Sequence, residues 1–194
     1  KRGARGMTGY AFCGSFCTVA KSLKVLSDLV AEGNDIQPIM SEAVYTTDTR
    51  FGTAKEIVAQ VEKICKRPVI HTIVDAEPIG PRDYLDMLVI APCTGNTLAK
   101  LANGITDTSV TMAAKAQMRT GKPVVIALSS NDALSANLQN IAKMSVRKNV
   151  FFVPMYQDDT DKKPNSLVCD LSELKATMMS AFAGRQIQPF WKMA

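Results

Sequence analysis

With 194 residues, 46% of them hydrophobic and 21% charged, the chain has the composition of one globular domain with a sizeable core, which excludes a disordered polypeptide. No apolar run approaches the roughly 20 residues that span a bilayer, and the opening Lys1-Arg2-Gly3-Ala4-Arg5-Gly6 lacks the apolar stretch of a secretory signal, so a soluble, cytoplasmic protein is expected. Part of the formal charge of +5 sits in that opening, which reads as a vector remnant or flexible start over residues 1–7; no basic stripe interleaved with aromatics argues for nucleic acid.

The first strand is expected to end at Phe12, where Cys13-Gly14-Ser15 turns into a helix carried by Val19, Leu23, Leu26 and Val30. Gly33-Asn34 closes that helix, and Ile36–Met40 is the second strand, ended by Ser41. Residues 41–52 read as a polar loop. Thr53 and Glu56 match a capping box, opening a helix along Ile57, Val61 and Ile64 that stops before Pro68. Val69–Val74 is a plausible third strand, and residues 75–82, with two prolines and a glycine, read as loop.

Met87–Ala91 is the most strand-like run, apolar throughout as a strand covered on both faces should be. Pro92–Thr97 is its turn, Leu98–Ala102 and Thr106–Arg119 are helices, and Val124–Leu128 is the next strand. Ser129–Asp132 turns into a helix over Ala133–Met144. Val150–Val153 ends the strands, 156–166 is a polar loop, and Leu171–Phe182 is a terminal helix. The tail from Gln186 (186–194) reads as a surface arm. Strands and helices alternate, the pattern of a single doubly wound α/β domain with a mostly parallel sheet and helices on both faces.

Ligands of such sheets bind beyond the carboxyl ends of the strands. Four expected strand ends carry small polar turns: Gly14-Ser15, Ser41, Pro92–Thr97 and Ser129–Asp132. Gly14-Ser15, at the start of a helix, is a candidate phosphate seat, plain turn chemistry being the alternative. No G-x-G-x-x-G follows the first strand, and Ser41 stands where a dinucleotide site carries its ribose-binding acid. A mononucleotide such as FMN fits that pattern better than NAD.

The five cysteines are dispersed and read as reduced thiols. Cys13 and Cys93 lie at strand-end turns, either lining one pocket or filling core space. Cys13-x-x-x-Cys17 lacks a second pair and His71 is the single histidine, so no metal site is expected.

The run Ala91-Pro92-Cys93-Thr94-Gly95-Asn96-Thr97, continuing to Asp107, resembles the A-P-x-[ST]-x-N-[ST] loop and helix of the FMN-binding family that includes peptidyl-cysteine decarboxylases, phosphopantothenoylcysteine decarboxylase and flavin prenyltransferases. The resemblance extends from Thr8 to Gln188. It implies a Rossmann-like flavoprotein fold in which Gly14 and Ser15 hold the FMN phosphate and Ser41 a ribityl hydroxyl. Pro92, Thr94, Asn96 and Thr97 would form the flavin side. The bland alternatives are helix capping for Thr97 and a turn conformation for Asn96. It also implies a homo-oligomer, a trimer or a dodecamer, with the flavin site at a subunit interface.

Within the family the chain is most similar to one component of a two-component synthase that acts on a small dicarboxylate. That implies a separate A subunit carrying NAD(P). It also implies a cationic clamp for the substrate, with Arg50, Arg82 and Lys115 as candidates and solvated surface residues as the alternative; Asn131 is a further substrate candidate. One departure stands out. The family's cysteine decarboxylases carry a catalytic histidine fourteen positions before the A-P proline, and here that position is Pro78. His71 lies seven residues too early and reads as structural.

Overall fold

Strand β3 (Leu85–Cys93) occupies the middle of the sheet, every residue but Asp86 buried, because helices cover both of its faces. A computed structural model describes residues 6–192. The remnant proposed for residues 1–7 therefore lies outside the described residues for its first five positions, and from Met7 the chain is already strand β1 (Met7–Phe12). Strand β1 pairs in parallel with β3 on one side and with β2 (Ile36–Met40) on the other. Beyond β3 comes β4 (Val124–Ser130), whose first residues pair in parallel with β5 (Val150–Phe152). The order β2-β1-β3-β4-β5 reverses direction between β1 and β3. That reversal is where the crossovers leave to opposite faces and open a crevice at the carboxyl ends.

Alternate residues of each strand feed two cores. Tyr10, Phe12, Met40, Val89 and Val125 point into one, with α1 (Phe16–Ala31), α3 (Ala54–Cys65) and α9 (Leu174–Phe182). Ala11, Ile39, Leu88, Ile90 and Ile126 point into the other, with α6 (Gly95–Ala102), α7 (Ser109–Arg119) and α8 (Leu138–Ser145). Each fully buried Leu or Ile contributes about 1.5–3 kcal/mol. The capping box predicted at Thr53 is present in both halves, and the helix it opens ends at Lys66 in the left-handed region.

Several expectations are corrected. Val69–Val74 is not a strand: only Ile70 bridges to Ile39, and the Thr72 hydroxyl then accepts from the Asp75 N–H and starts helix α4 (Ile73–Ala76). Residues 75–82 hold the end of α4 and helix α5 (Ile79–Arg82), whose Pro81 sits in the first turn, where no helical hydrogen bond is lost. The 41–52 loop contains helix α2 (Glu42–Thr46). Strand β3 runs through Pro92 to Cys93, so the expected turn shrinks to Thr94. The helix expected from Thr106 starts at Ser109, capped by Thr108, and the one expected from Ala133 starts at Leu138, after turns tied to Asp132.

Two short strands flank the 156–166 loop, β6 (Met155–Tyr156) and β7 (Leu167–Cys169). They pair antiparallel with each other, and β7 pairs antiparallel with Ser129 and Ser130 of β4. The tail is no surface arm. Gln186 is hydrogen-bonded to the Phe152 backbone, Phe190 packs 5.5 Å from the Phe152 ring, and Trp191 bridges to Met155.

Candidate functional site

A cleft of about 520 Å³ opens at the carboxyl ends of β1, β3 and β4, within the range of small-ligand sites. Its first wall is the β1–α1 turn. Ser15 caps no backbone group with its side chain; its Oγ lies 3.2 Å from Thr18 Oγ1. The first turn of α1 contains no acidic residue, so the positive end of a 16-residue helix faces the cleft without a local anion.

The second wall is the start of α6. Thr94 accepts from the Thr97 N–H at 3.2 Å and donates its hydroxyl proton to Thr97 Oγ1 at 3.1 Å. Thr97 Oγ1 in turn donates to Cys13 Sγ at 3.4 Å, fastening α6 to the end of β1. Gly95 is required by the third wall. A Cβ there would lie 2.6 Å from Asn137 Nδ2, 2.8 Å from Asp132 Oδ1 and closer still to Ser130 Oγ.

The third wall is the Ser129–Asp132 turn. Ser130 Oγ and Asn137 Nδ2 donate to the Asp132 carboxylate, and the Ser130 bond above all holds that carboxyl below the usual carboxylate range. The 156–166 loop makes the fourth wall, with Asp158, Lys163 and Ser166 facing the cleft beside Val168 of β7.

Of the residues singled out in the sequence, Gly14, Ser15, Thr94, Asn96 and Asn131 line this cleft. Thr97 and Pro92 lie behind it, Thr97 in the hydroxyl relay and Pro92 within buried β3. Ser41 stands at the end of β2, its N–H donating to the Phe12 carbonyl at 2.9 Å. Helix α2, which Ser41 starts, flanks the Gly14–Ser15 turn: a Cβ on Gly14 would meet Ala43 Cβ at 3.6 Å. Among the described residues Ser41 Oγ is the one buried side-chain oxygen or nitrogen without a hydrogen-bond partner. Leaving such a hydroxyl unpaired costs about 1–3 kcal/mol, which a ligand hydroxyl could recover.

Arg50, Arg82 and Lys115 are not brought to the cleft. Arg50 stacks 4.8 Å over the Phe51 ring, Arg82 ends α5 ahead of β3, and Lys115 is exposed on α7. His71 stacks on Tyr45 with ring centroids 3.7 Å apart. Cys13 and Cys93 do not line the cleft but are buried beneath it. The Cys93 thiol, with the Thr97 hydroxyl, pulls the Cys13 thiol below its ordinary value, and partnership with Cys13 together with burial pushes Cys93 up.

Lys163 and Asp158 are the residues the sequence did not reveal. The signal was the polar run Lys162-Lys163-Pro164-Asn165-Ser166, but three-residue β7, which returns it to the sheet, is too short to read.

The residues fit a flavin mononucleotide's phosphate and polyol. Hydroxyl and amide side chains and a helix N-terminus stand around the Gly14–Ser15 turn, the Asp132 carboxylate is engaged by its own donors, and a buried hydroxyl stands unpaired at the end of β2.

The family model described as Flavoprotein matches residues 8–182, and the chain belongs to that family. The B subunit of dipicolinate synthase from Bacillus subtilis (strain 168) is 44% identical over 181 residues, spanning 93% of this chain and 90% of the relative. The crystal structure of the corresponding B subunit of dipicolinate synthase from Bacillus halodurans superposes with a TM-score of 0.89 at 42% identity, covering 98% of this chain and 97% of that one. DmrB of Burkholderia xenovorans, solved in complex with FMN, shares the fold at 20% identity, with a TM-score of 0.63 over 92% of this chain and 96% of that one.

Proposed function

We propose that this chain is the FMN-binding B subunit of a dipicolinate synthase. With a separate A subunit that handles NAD(P), it would serve the oxidation of dihydrodipicolinate to pyridine-2,6-dicarboxylate. The carrying observation is the 44% identity across nearly the whole chain, joined to a cleft at the strand-order reversal with an uncapped helix start at Gly14-Ser15. Such a role belongs to the mother cell of a sporulating bacterium. Assembly into a homo-oligomer, a trimer or dodecamer, is part of the same reading.

In this reading Gly14 and Ser15 hold the phosphate, Ser41 receives a ribityl hydroxyl, and Pro92, Thr94, Asn96 and Thr97 form the flavin side. FMN, when bound, supplies a ring able to accept a hydride. The protein's own part is binding and orientation. The Thr94–Thr97–Cys13 relay fixes the flavin-side loop, and the neutral donors around it add no charge beside the ring. Asn131 is the substrate candidate that stands on the cleft; Arg50, Arg82 and Lys115 stand away from it.

A second reading, a non-catalytic flavin-binding protein, is favoured by one observation: Pro78 occupies the position of the catalytic histidine of the family's cysteine decarboxylases. The same observation weighs against a free-standing decarboxylase, and flavin prenyltransferase activity is the other alternative within the family. Reconstitution separates these. Co-purification with the A subunit, release of bound cofactor and its mass spectrometry should yield FMN, and dipicolinate output should require both chains. Full output from the A subunit alone would remove the catalytic role. Turnover of a phosphopantothenoylcysteine-like substrate or a prenyl phosphate by this chain alone would replace it.

A further inference from the structure

Among the described residues Lys163 is the one cation that lines the cleft. Its backbone is held firmly. The Lys163 N–H donates to the Asp159 carbonyl at 2.9 Å and the Ser166 N–H donates to the Lys163 carbonyl at 3.0 Å. Gln157 Nε2 donates to the Pro164 carbonyl at 3.0 Å, and the Leu134 N–H donates to the Asn165 carbonyl at 2.9 Å, tying the loop to the wall that carries Asn131. A braced turn thus places a long cationic side chain on the wall of a cleft that the Gly14–Ser15 turn also lines.

The ammonium is 3.0 Å from the Asp158 carboxylate, and its side chain is 57% exposed. An exposed pair of this kind adds little to stability, so its partners can exchange cheaply. The Ser166 hydroxyl, beside Lys163, also favours the ionised Asp158 carboxyl, so a neighbouring donor remains if the ammonium moves away. The cleft otherwise carries the carboxylates of Asp158 and Asp132, and Asp132 is occupied by Ser130 and Asn137. A dianionic ligand therefore needs this one lysine to offset its charge.

We infer that Lys163 anchors the anionic group of the ligand seated at the Gly14–Ser15 turn, with Asp158 as its resting partner. This rests on the FMN reading, in which the anion is a phosphate monoester; the other source of an anion in the same cleft is a substrate carboxylate. Lys163 is then a specificity residue: it makes the site select a phosphorylated flavin over an uncharged one.

The test is fluorescence titration of the full chain with FMN and with riboflavin, which lacks the phosphate. Calorimetry with inorganic phosphate and with pyridine-2,6-dicarboxylate runs alongside. The wild type should prefer FMN. Lys163→Met should weaken FMN and inorganic phosphate roughly ten- to hundredfold, the loss of one hydrogen bond to a charged group, and leave riboflavin unchanged. Lys163→Arg should restore most of the loss, and Asp158→Asn should bind FMN at least as tightly as wild type. Circular dichroism checks that each variant is folded.

Unchanged FMN and phosphate affinity in folded Lys163→Met overturns the inference. So does a loss confined to the dicarboxylate, which would reassign the ammonium to a carboxylate. If the wild type binds neither flavin but binds inorganic phosphate through Lys163, the FMN reading fails and the anchor stands. Binding of neither flavin nor phosphate by the wild type overturns both.

Discussion

Gln186 and Phe152 exchange two hydrogen bonds, the Phe152 N–H donating to Gln186 Oε1 at 2.8 Å and Gln186 Nε2 donating to the Phe152 carbonyl at 2.7 Å. The side-chain amide thus takes the place of a neighbouring strand on β5 and blunts an edge that would otherwise offer unpaired groups to another chain. Gln186→Ala should lower stability by about 1–3 kcal/mol and raise amide exchange over residues 150–152, measured by urea denaturation and hydrogen exchange. Unaltered exchange at Phe152 would mean the contact does not protect the strand.

Ser15→Asp separates fold from ligand. Aspartate is at least as good an N-cap as serine, so the thermal midpoint should hold or rise. The added carboxylate would stand at the turn proposed to hold the phosphate, and FMN binding by fluorescence titration should be abolished. A variant that keeps wild-type affinity would move the phosphate away from α1.

Ser41→Ala should act with opposite signs on the free and loaded protein. Removing a buried hydroxyl without a partner should stabilise the ligand-free chain by up to about 1–3 kcal/mol. FMN affinity should fall by about tenfold if that hydroxyl meets the ribityl chain, the loss of one ordinary hydrogen bond. Thermal unfolding with and without FMN reads both effects in one experiment.

Asp132 ties the third wall to the pH. Its carboxyl is held below its unfolded value, first by the Ser130 hydroxyl and also by Asn137. The stability it contributes is therefore fully present above about pH 5 and is lost as the pH falls through about 4 and below. Asp132→Asn should be less stable than wild type at neutral pH, with the gap narrowing toward about pH 3. Urea denaturation across that range measures it; a gap independent of pH would assign the loss to packing instead.

Much of this fold was legible because its signals are local. Ile36–Met40 is the strand expected between Gly33-Asn34 and Ser41, and the Thr53–Glu56 box opens its helix where expected. Three of the four polar strand ends, at Gly14-Ser15, Thr94–Asn96 and Ser129–Asp132, do meet in one cleft, while Ser41, at the end of β2, is not among its lining residues. What failed depends on partners distant in the chain. Val69–Val74 has strand composition, but the Thr72 cap on Asp75 wins and turns it to helix. Lys163 is one residue of a polar loop until β7 pairs with Ser129 and Ser130 and returns that loop to the sheet. Arg50, Arg82 and Lys115 were attractive for their charge, and charge alone says nothing of which end of the sheet a side chain occupies.

The pairing of Val168 with Ser129 also sets an order on the birth of the site. Three walls come from residues 14–132, but the fourth leaves the ribosome only with residues 158–168, after every strand of the parallel sheet. A nascent chain stopped after Val153 could build the sheet and its crevice mouth, yet the mouth would lack its cationic side. Ligand capture then reports that the β6–β7 hairpin has been made, and a flavin added during synthesis should be retained only once that hairpin has docked.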